Sequence, residues 1–292
     1  MKQLLILSGK GGTGKTTVAS AFVKLASAQA VADCDVDAPN LHLVMQQKCK
    51  PRLRDFQGLP KAEIDRQLCT DCGLCRQHCR FQAISNQQGR YEIDYYGCEG
   101  CGVCSYICPK QAITLKPAVA GELKLYLGDT TFSTAQLRMG SGNSGLLVTE
   151  VRKQLKQADG KPPLAIIDGS PGIGCPVIAS VTGVDLVLVV TEPSVSGISD
   201  MVRVLQTAHH FNTKTAVCIN KHDTNRGKSA EIIKYCQDNS LPFVGCIPYD
   251  PAAVAAINAG HSIVDSHCPA GQAATEVFNK TMELLNSQED RK

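Results

Sequence analysis

The chain has 292 residues, of which 43% are hydrophobic and 20% are charged, and its formal net charge is +3. This composition allows one large domain or two modest ones and excludes a disordered chain. The small net charge and the low aromatic content, 5% with no Trp, give no indication of a nucleic-acid-binding surface.

The 15 cysteines indicate the cellular compartment. The apolar run at residues 4–7 is too short for a signal peptide, and no run approaches the roughly 18–20 apolar residues of a membrane span. We therefore expect a cytoplasmic protein, without a membrane partner, in which clustered thiols bind metal instead of forming disulfides.

The N-terminus reads MKQLLILSGKGGTGKTT and predicts a buried strand, a glycine loop and a helix over residues 17–28. Gly9 to Thr16 fit the pattern G-x-x-x-x-G-K-[ST] of a P-loop, in the strand–loop–helix context that this motif requires. Lys15 is expected to neutralise the β- and γ-phosphates, and Thr16 to hold Mg²⁺. The predicted nucleotide-binding residues of the loop are Gly11, Gly12, Thr13, Gly14, Lys15, Thr16 and Thr17.

A second lysine, Lys10, lies in the same loop. The segment KGGTGKTT resembles the deviant Walker motif of the MinD/ParA family, whose members form dimers that sandwich ATP. In that family the extra lysine reaches the nucleotide of the partner subunit. The resemblance implies this catalytic role for Lys10, and the alternative is a solvated loop lysine.

Three alternating carboxylates follow in the segment VADCDVDAPNLHL, residues 31–43. Such carboxylates at one strand end repel one another unless a cation or a water network separates them. The segment resembles switch I of the MinD/ParA family, which implies that Asp35 orients the attacking water. Asp33 and Asp37 would support the site, although Asp37 could instead cap the turn before Pro39.

Eight cysteines fall in an internal repeat. The blocks CTDCGLCRQHCRFQAI, from Cys69, and CEGCGVCSYICPKQAI, from Cys98, align at an offset of 29 with eight identical positions in 16. Each block carries the spacing C-x2-C-x2-C-x3-C, and over about residues 60–116 the chain resembles the two-cluster bacterial ferredoxins. One departure is Arg80, which follows Cys79 where Pro109 follows Cys108.

In those ferredoxins the fourth cysteine of each block binds the other cluster. The resemblance therefore implies two 4Fe–4S clusters, and the alternative is a pair of structural zinc sites. Cluster one would be bound by Cys69, Cys72, Cys75 and Cys108, and cluster two by Cys98, Cys101, Cys104 and Cys79.

The charge is uneven along the chain. Residues 48–117 contain 11 Lys or Arg and seven Asp or Glu, a balance of +4, which leaves −1 for the rest. This basic stretch is either an ordinary solvated surface or a docking face for an acidic redox partner.

Residues 164–174, LAIIDGSPGIG, predict a Walker B strand that leads into switch II. Asp168 would hold Mg²⁺ through water, and Gly169 or Gly172 would move with the γ-phosphate. Cys175 lies where the nitrogenase iron protein, a relative in this superfamily, has a ligand to a cluster shared across the dimer. Its alternatives are an interface or redox-sensitive thiol and a packing role.

The C-terminal part predicts further strands at residues 185–191 and 215–220, a last strand plus turn at 242–250, and a helix at 199–211. The sequence NKHD at 220–223 matches the guanine-reading motif N-K-x-D, which keeps GTP open as a ligand. The MinD/ParA resemblance favours ATP, with the base beside Asn220, Pro248 and Asp250.

The alternation of strands and helices predicts a doubly wound α/β ATPase domain, residues 1–58 and 118–292, with an inserted α+β ferredoxin-like domain at 59–117. The predicted protein is an ATPase that couples nucleotide state to electron transfer. It would act as an ATP-dependent homodimer, or as a heterodimer with a related ATPase, together with an unidentified redox protein. The alternatives are a cluster assembly or carrier ATPase and a positioning ATPase with a redox-sensing insert.

Overall fold

The computed structural model describes residues 1–158 and 162–287. The chain forms two compact units. The first unit comprises residues 1–53, 123–136 and 145 onwards, and the second comprises 54–122 and 137–144. The predicted insert at 59–117 falls within the second unit.

The strands of the large sheet are β1 (Lys2–Leu7), β2 (Ala30–Asp33), β3 (Arg52–Gln57), β8 (Val119–Leu127), β9 (Thr131–Leu137), β10 (Leu164–Asp168), β11 (Leu186–Thr191), β12 (Lys214–Asn220) and β13 (Phe243–Ile247). Their hydrogen-bonded order is β13-β12-β11-β1-β10-β2-β9-β8-β3, and the pairs from β13 through β9 are parallel.

Helices of the first unit connect these strands. They are α1 (Lys15–Leu25), α2 (His42–Met45), α5 (Ser144–Gln154), α6 (Cys175–Val181), α7 (Val195–His210), α8 (Arg226–Asp238), α9 (Pro251–Asn258) and α10 (Pro269–Asn286). The apolar run Leu4–Leu7 of β1 and the whole of β11 are buried, as expected for parallel strands covered on both faces. The aromatic pair Phe22–Phe278, at 5.1 Å between ring centroids, packs α1 against α10.

The strand order brings the polar residues that end several strands of the first unit to one edge of the sheet. The chain moves from β1 to one side of the sheet for β2 and to the other side for β11 to β13, so the order reverses at β1. Ligands of open α/β sheets bind outside the carboxyl ends of the strands at such a point. Asp33, Asp168 and Asn220 end their strands at this edge, and the glycine loop follows β1.

The second unit turns the sequence repeat into a structural repeat. Each half contains one short helix, which starts after a glycine of similar positive φ, 79° at Gly73 and 78° at Gly102. Equivalent backbone hydrogen bonds, Asp65 N to Ala112 O and Asp94 N to Ala83 O, are both 2.7 Å long. The elements are β4 (Lys61–Ile64), α3 (Leu74–His78), β5 (Ile84–Gln87), β6 (Arg90–Ile93), α4 (Val103–Ile107) and β7 (Ile113–Lys116), with antiparallel pairs β4–β7 and β5–β6.

Among the described helices, none combines the length and the apolar character needed to cross a membrane.

Candidate nucleotide site and cysteine cavities

The glycine loop lies between β1 and α1 and depends on residues without a side chain. Gly12 and Gly14 have φ values of 81° and 90°, which favour glycine. A Cβ on Gly14 would lie 2.1 Å from Nδ2 of Asn220. The positive φ and the close approach to the Asn220 side chain therefore both favour glycine at position 14.

Lys15 is the buried cation of the site. Its Nζ lies 2.5 Å from Oδ1 of Asp168 and 4.0 Å from Oδ2 of Asp35. Burial is the largest single influence and alone would lower the pKa of Lys15, but the neighbouring carboxylates of Asp168, Asp33 and Asp35 together outweigh it, so the pKa is raised. Lys15 therefore keeps its positive charge at the point where the motif predicts phosphate.

Two buried polar atoms beside this ion pair have no hydrogen-bond partner among the described residues, Oδ2 of Asp168 and Oγ1 of Thr13. Unpartnered buried polar atoms are rare because they cost free energy. A carboxylate oxygen and a hydroxyl suit a hydrated Mg²⁺ and a phosphate oxygen, respectively. The residues present thus fit a magnesium nucleotide, with Thr16 and Asp168 as its metal-side groups.

A cavity of about 610 Å³ adjoins the loop and is large enough for a nucleotide. One end is polar and is lined by loop residues from Lys10 to Thr17 together with Asp35 and Asp37. The other end is lined by residues of the β13–α9 turn, α9 and the start of α10, among them Pro248, Tyr249, Asp250, Ala253, Ile257 and Ala270. This division of polar and apolar ends suits phosphates and a base.

Asp33, the most buried of the three alternating carboxylates, supports the backbone. Its Oδ1 accepts a hydrogen bond from the amide of Asp35 at 3.1 Å, and its Oδ2 accepts one from Leu41 at 3.0 Å. Burial, with the neighbouring charge of Asp168, raises the pKa of Asp33 to about 7. Asp35 lines the cavity and is half-buried, whereas Asp37 is exposed.

The predicted switch segments are tied to each other through Ser170, whose hydroxyl donates to the carbonyl of Cys34 at 2.6 Å. A Cβ on Gly169 would lie 2.3 Å from Leu7, so this glycine permits close packing. Gly172 has φ 95°, meets no neighbouring atom at the Cβ position and is free of that constraint.

Lys10 makes an ion pair with Glu192, at 2.6 Å, and donates to Ser196 at 2.9 Å. Glu192 is a site residue that the sequence motifs do not predict. Its position directly after the apolar strand β11 could have indicated a residue at the loop edge of the sheet.

On the base side, Asn220 donates to the carbonyl of Thr13 at 2.7 Å. Asp250 caps α9 by accepting from Ala252 at 2.9 Å and also accepts from Ala270 at 3.2 Å. Both residues line the cavity, but their side chains form hydrogen bonds with backbone groups of the cavity wall.

The eight repeat cysteines sort into two small apolar cavities of the second unit. In each cavity, three cysteines of one block meet the fourth cysteine of the other block, and an isoleucine pair across two strands forms part of the wall. One cavity is lined by Cys69, Cys72, Cys75, Cys108, Ile64 and Ile113; the other is lined by Cys98, Cys101, Cys104, Cys79, Ile84 and Ile93.

Backbone amides contact several of these sulfurs. All 15 cysteines are free, and backbone amides donate to the sulfurs of Cys69, Cys98 and Cys108 at 3.3–3.4 Å. Within residues 1–158 and 162–287, no three His, Cys, Asp or Glu converge on a single metal ion. The eight thiols therefore lie in two separate sets of four, each beside an apolar wall.

The other cysteines do not join these cavities. Cys175 is exposed at the start of α6. Among the rest, four are buried and two are half-buried: Cys34, Cys218, Cys236 and Cys268, then Cys49 and Cys246.

Comparisons with known proteins match most of the chain. The family model described as the CobQ/CobB/MinD/ParA nucleotide binding domain matches residues 4–263. An uncharacterized protein of Methanocaldococcus jannaschii is 32% identical over 97% of both chains. An uncharacterized ATP-binding protein of the same organism is 24% identical over 95% of this chain and 86% of its own.

Solved structures show the same fold at low identity. The septum site-determining protein MinD of Pyrococcus horikoshii, complexed with Mg-ADP, has a TM-score of 0.58 and 17% identity over 99% of both chains. The ATP complex of Cyanothece McdA has a TM-score of 0.55 and 19% identity over 100% of this chain and 99% of its own.

Proposed function

This chain belongs to the CobQ/CobB/MinD/ParA nucleotide-binding family, and we propose that it is an ATP-hydrolysing iron–sulfur protein in which nucleotide state is coupled to electron transfer through two 4Fe–4S clusters. Its P-loop ATPase half follows from the family. The iron–sulfur half is carried by one observation, the sorting of eight thiols into two crossed sets of four.

In the nucleotide site, each charged residue has a separate task. Phosphate oxygens would compete with Asp168 for Lys15, which would leave the Asp168 carboxylate available to hold Mg²⁺ through water. Thr16 would supply a hydroxyl to the same ion. Asp35, 4.0 Å from Lys15, is left to orient the attacking water.

Two features favour ATP over GTP. The Pro248 end of the cavity is largely apolar, and Asp223, which would read guanine, is not among the described residues that line it. Lys10 would complete the site of a second subunit, in an ATP-dependent homodimer or in a heterodimer with a related ATPase.

In the second unit, four thiolates in each cavity would hold one cluster, and the backbone amides at the sulfurs would help to set its potential. When bound, the clusters supply one-electron transfer. The basic residues of the insert would attract an acidic redox partner by electrostatic complementarity.

The test starts with anaerobically purified protein. We expect about eight iron atoms per chain and 4Fe–4S signals in electron paramagnetic resonance spectra. ATP hydrolysis and nucleotide affinity are then measured with the clusters reduced and oxidised, and both should change. Protein purified without iron would contradict the proposed iron–sulfur clusters. Hydrolysis rates and nucleotide affinities that do not depend on the cluster oxidation state would contradict the proposed coupling.

A positioning ATPase with a redox-sensing insert is the second candidate, because the similar structures include MinD, a septum site-determining protein, and a putative plasmid partition protein of Borrelia burgdorferi. It predicts ATP-dependent pelleting with DNA or liposomes. A cluster assembly or carrier ATPase instead predicts that the iron moves to an apo-acceptor with loss of colour.

A further inference from the structure

The segment Asn220–Asp223 forms hydrogen bonds with both the glycine loop and the turn at Tyr249, which line opposite ends of the nucleotide cavity. At the phosphate end, Asn220 donates to the carbonyl of Thr13 at 2.7 Å, and Lys221 donates through Nζ to the carbonyl of Gly12 at 3.0 Å. These two residues therefore hold the glycine loop.

Asp223, the fourth residue of the segment, holds the other end. Its Oδ1 accepts a hydrogen bond from the backbone amide of Tyr249 at 2.7 Å. Tyr249 and the preceding Pro248 form the turn that lines the base side of the cavity, whereas Asp223 itself does not appear among the described lining residues. The same bond holds the pKa of Asp223 below its usual value, so the carboxylate remains a charged acceptor.

The local backbone fixes this direction. Lys221 has φ 54°, a left-handed conformation, and its carbonyl accepts from the hydroxyl of Thr224 at 2.7 Å. The carbonyl of His222 accepts from Ser229 at 2.7 Å. With the two preceding peptides held, the Asp223 carboxylate is presented to the backbone amide of Tyr249 and does not line the cavity among the described residues.

We propose that Asp223 is a positioning residue that holds the Pro248–Tyr249 wall for the nucleoside and does not read the base. The residues of the N-K-x-D pattern thus connect the glycine loop and the Pro248–Tyr249 turn by hydrogen bonds. This inference rests on the proposed nucleotide site and adds a residue that sets its affinity.

The experiment compares the dissociation constants of Mg-ATP, Mg-GTP and Mg-tripolyphosphate, which lacks a base, in the full chain. Asp223→Ala should weaken ATP and GTP by the same factor, about tenfold, because it removes a charge-assisted hydrogen bond. Binding of tripolyphosphate should not change. Asp223→Asn keeps an acceptor oxygen and should bind all three as the wild type does. Asp238→Ala, which removes an exposed carboxylate paired with Lys234 on α8, is the matched control.

Three results would overturn the inference. They are a selective loss of GTP in either Asp223 variant, an equal loss of tripolyphosphate, and unchanged ATP affinity in Asp223→Ala. If Asp223→Ala does not fold, Asp223→Asn decides alone, since an amide in a guanine-reading position would weaken GTP binding specifically. A wild-type chain that binds none of the three would instead overturn the proposed nucleotide site.

Discussion

The ammonium of Lys15 lies 2.5 Å from a carboxylate oxygen of Asp168, and both side chains are almost fully buried. The proposed phosphate-binding cation and the proposed metal-side carboxylate therefore neutralise each other. Breaking a buried ion pair by removing one partner leaves an uncompensated charge, which is strongly destabilising. A phosphate group can replace the missing carboxylate as the counterion of Lys15.

Asp168→Asn should therefore lower the free energy of unfolding by about 3 kcal/mol without nucleotide, the lower end of the range for such pairs because Asp33 and Asp35 also face Lys15. Added ATP should recover most of this loss, while hydrolysis falls at least 100-fold. Urea unfolding with and without ATP measures the effect. Asp238→Asn, at an exposed pair, should change stability by less than about 0.5 kcal/mol. Equal stability of Asp168→Asn and the wild type would show that Lys15 does not depend on this partner.

A comparison of Asp35 with Asp37 distinguishes a catalytic role from the effect of losing one negative charge. Asp35 is half-buried at the cavity and 4.0 Å from Lys15, whereas Asp37 is exposed. Asp35→Asn should reduce ATP hydrolysis about 100-fold or more and leave ATP affinity within about threefold, because general-base or water-orienting groups act on the chemical step. Asp37→Asn, with the same loss of charge, should hydrolyse ATP at nearly the wild-type rate. Equal effects of the two changes would assign no special role to Asp35.

Much of the first unit follows from local sequence. The apolar runs predict β1, β10 and β11 because strands buried on both faces carry no alternation. The glycine loop and Asp168 are identified by motifs whose chemistry is local. The pair Lys10–Glu192 and the bond from Tyr249 to Asp223 were not predictable in this way, because they join residues 182 and 26 positions apart whose meeting depends on the strand order. Residues 137–144 also belong to the second unit, although nothing in their composition indicates this.

The pair between Lys10 and Glu192 gives a third prediction. Lys10 is partly exposed, and such pairs contribute little free energy, so a partner subunit can draw Lys10 away at small cost. Lys10→Ala should keep ATP affinity within about threefold but abolish the ATP-dependent dimer. Glu192→Gln should strengthen that dimer several-fold. Analytical ultracentrifugation with and without ATP measures both. A loss of ATP affinity in Lys10→Ala would place this lysine on the nucleotide of its own subunit.

The crossed arrangement of the cysteines predicts how iron content responds to double substitutions. Cys69 and Cys108 line one cavity although 39 positions separate them, whereas Cys79, only ten positions from Cys69, lines the other cavity. Each single change to Ala should remove about half of the iron, because a cluster that lacks one of four ligands is lost. Cys69→Ala with Cys108→Ala should lose no more than either alone, while Cys69→Ala with Cys79→Ala should lose nearly all.

The iron content per chain and the electron paramagnetic resonance spectrum of each variant provide the measurement, and Cys218→Ala, a buried thiol in β12 outside both cavities, is the control. Because the pairs within and between cavities use the same residue types, their difference reports connectivity and not general damage. The opposite pattern, with Cys69 and Cys79 acting together, would mean that each block binds its own metal. That result would contradict the crossed clusters and favour two independent sites of four cysteines.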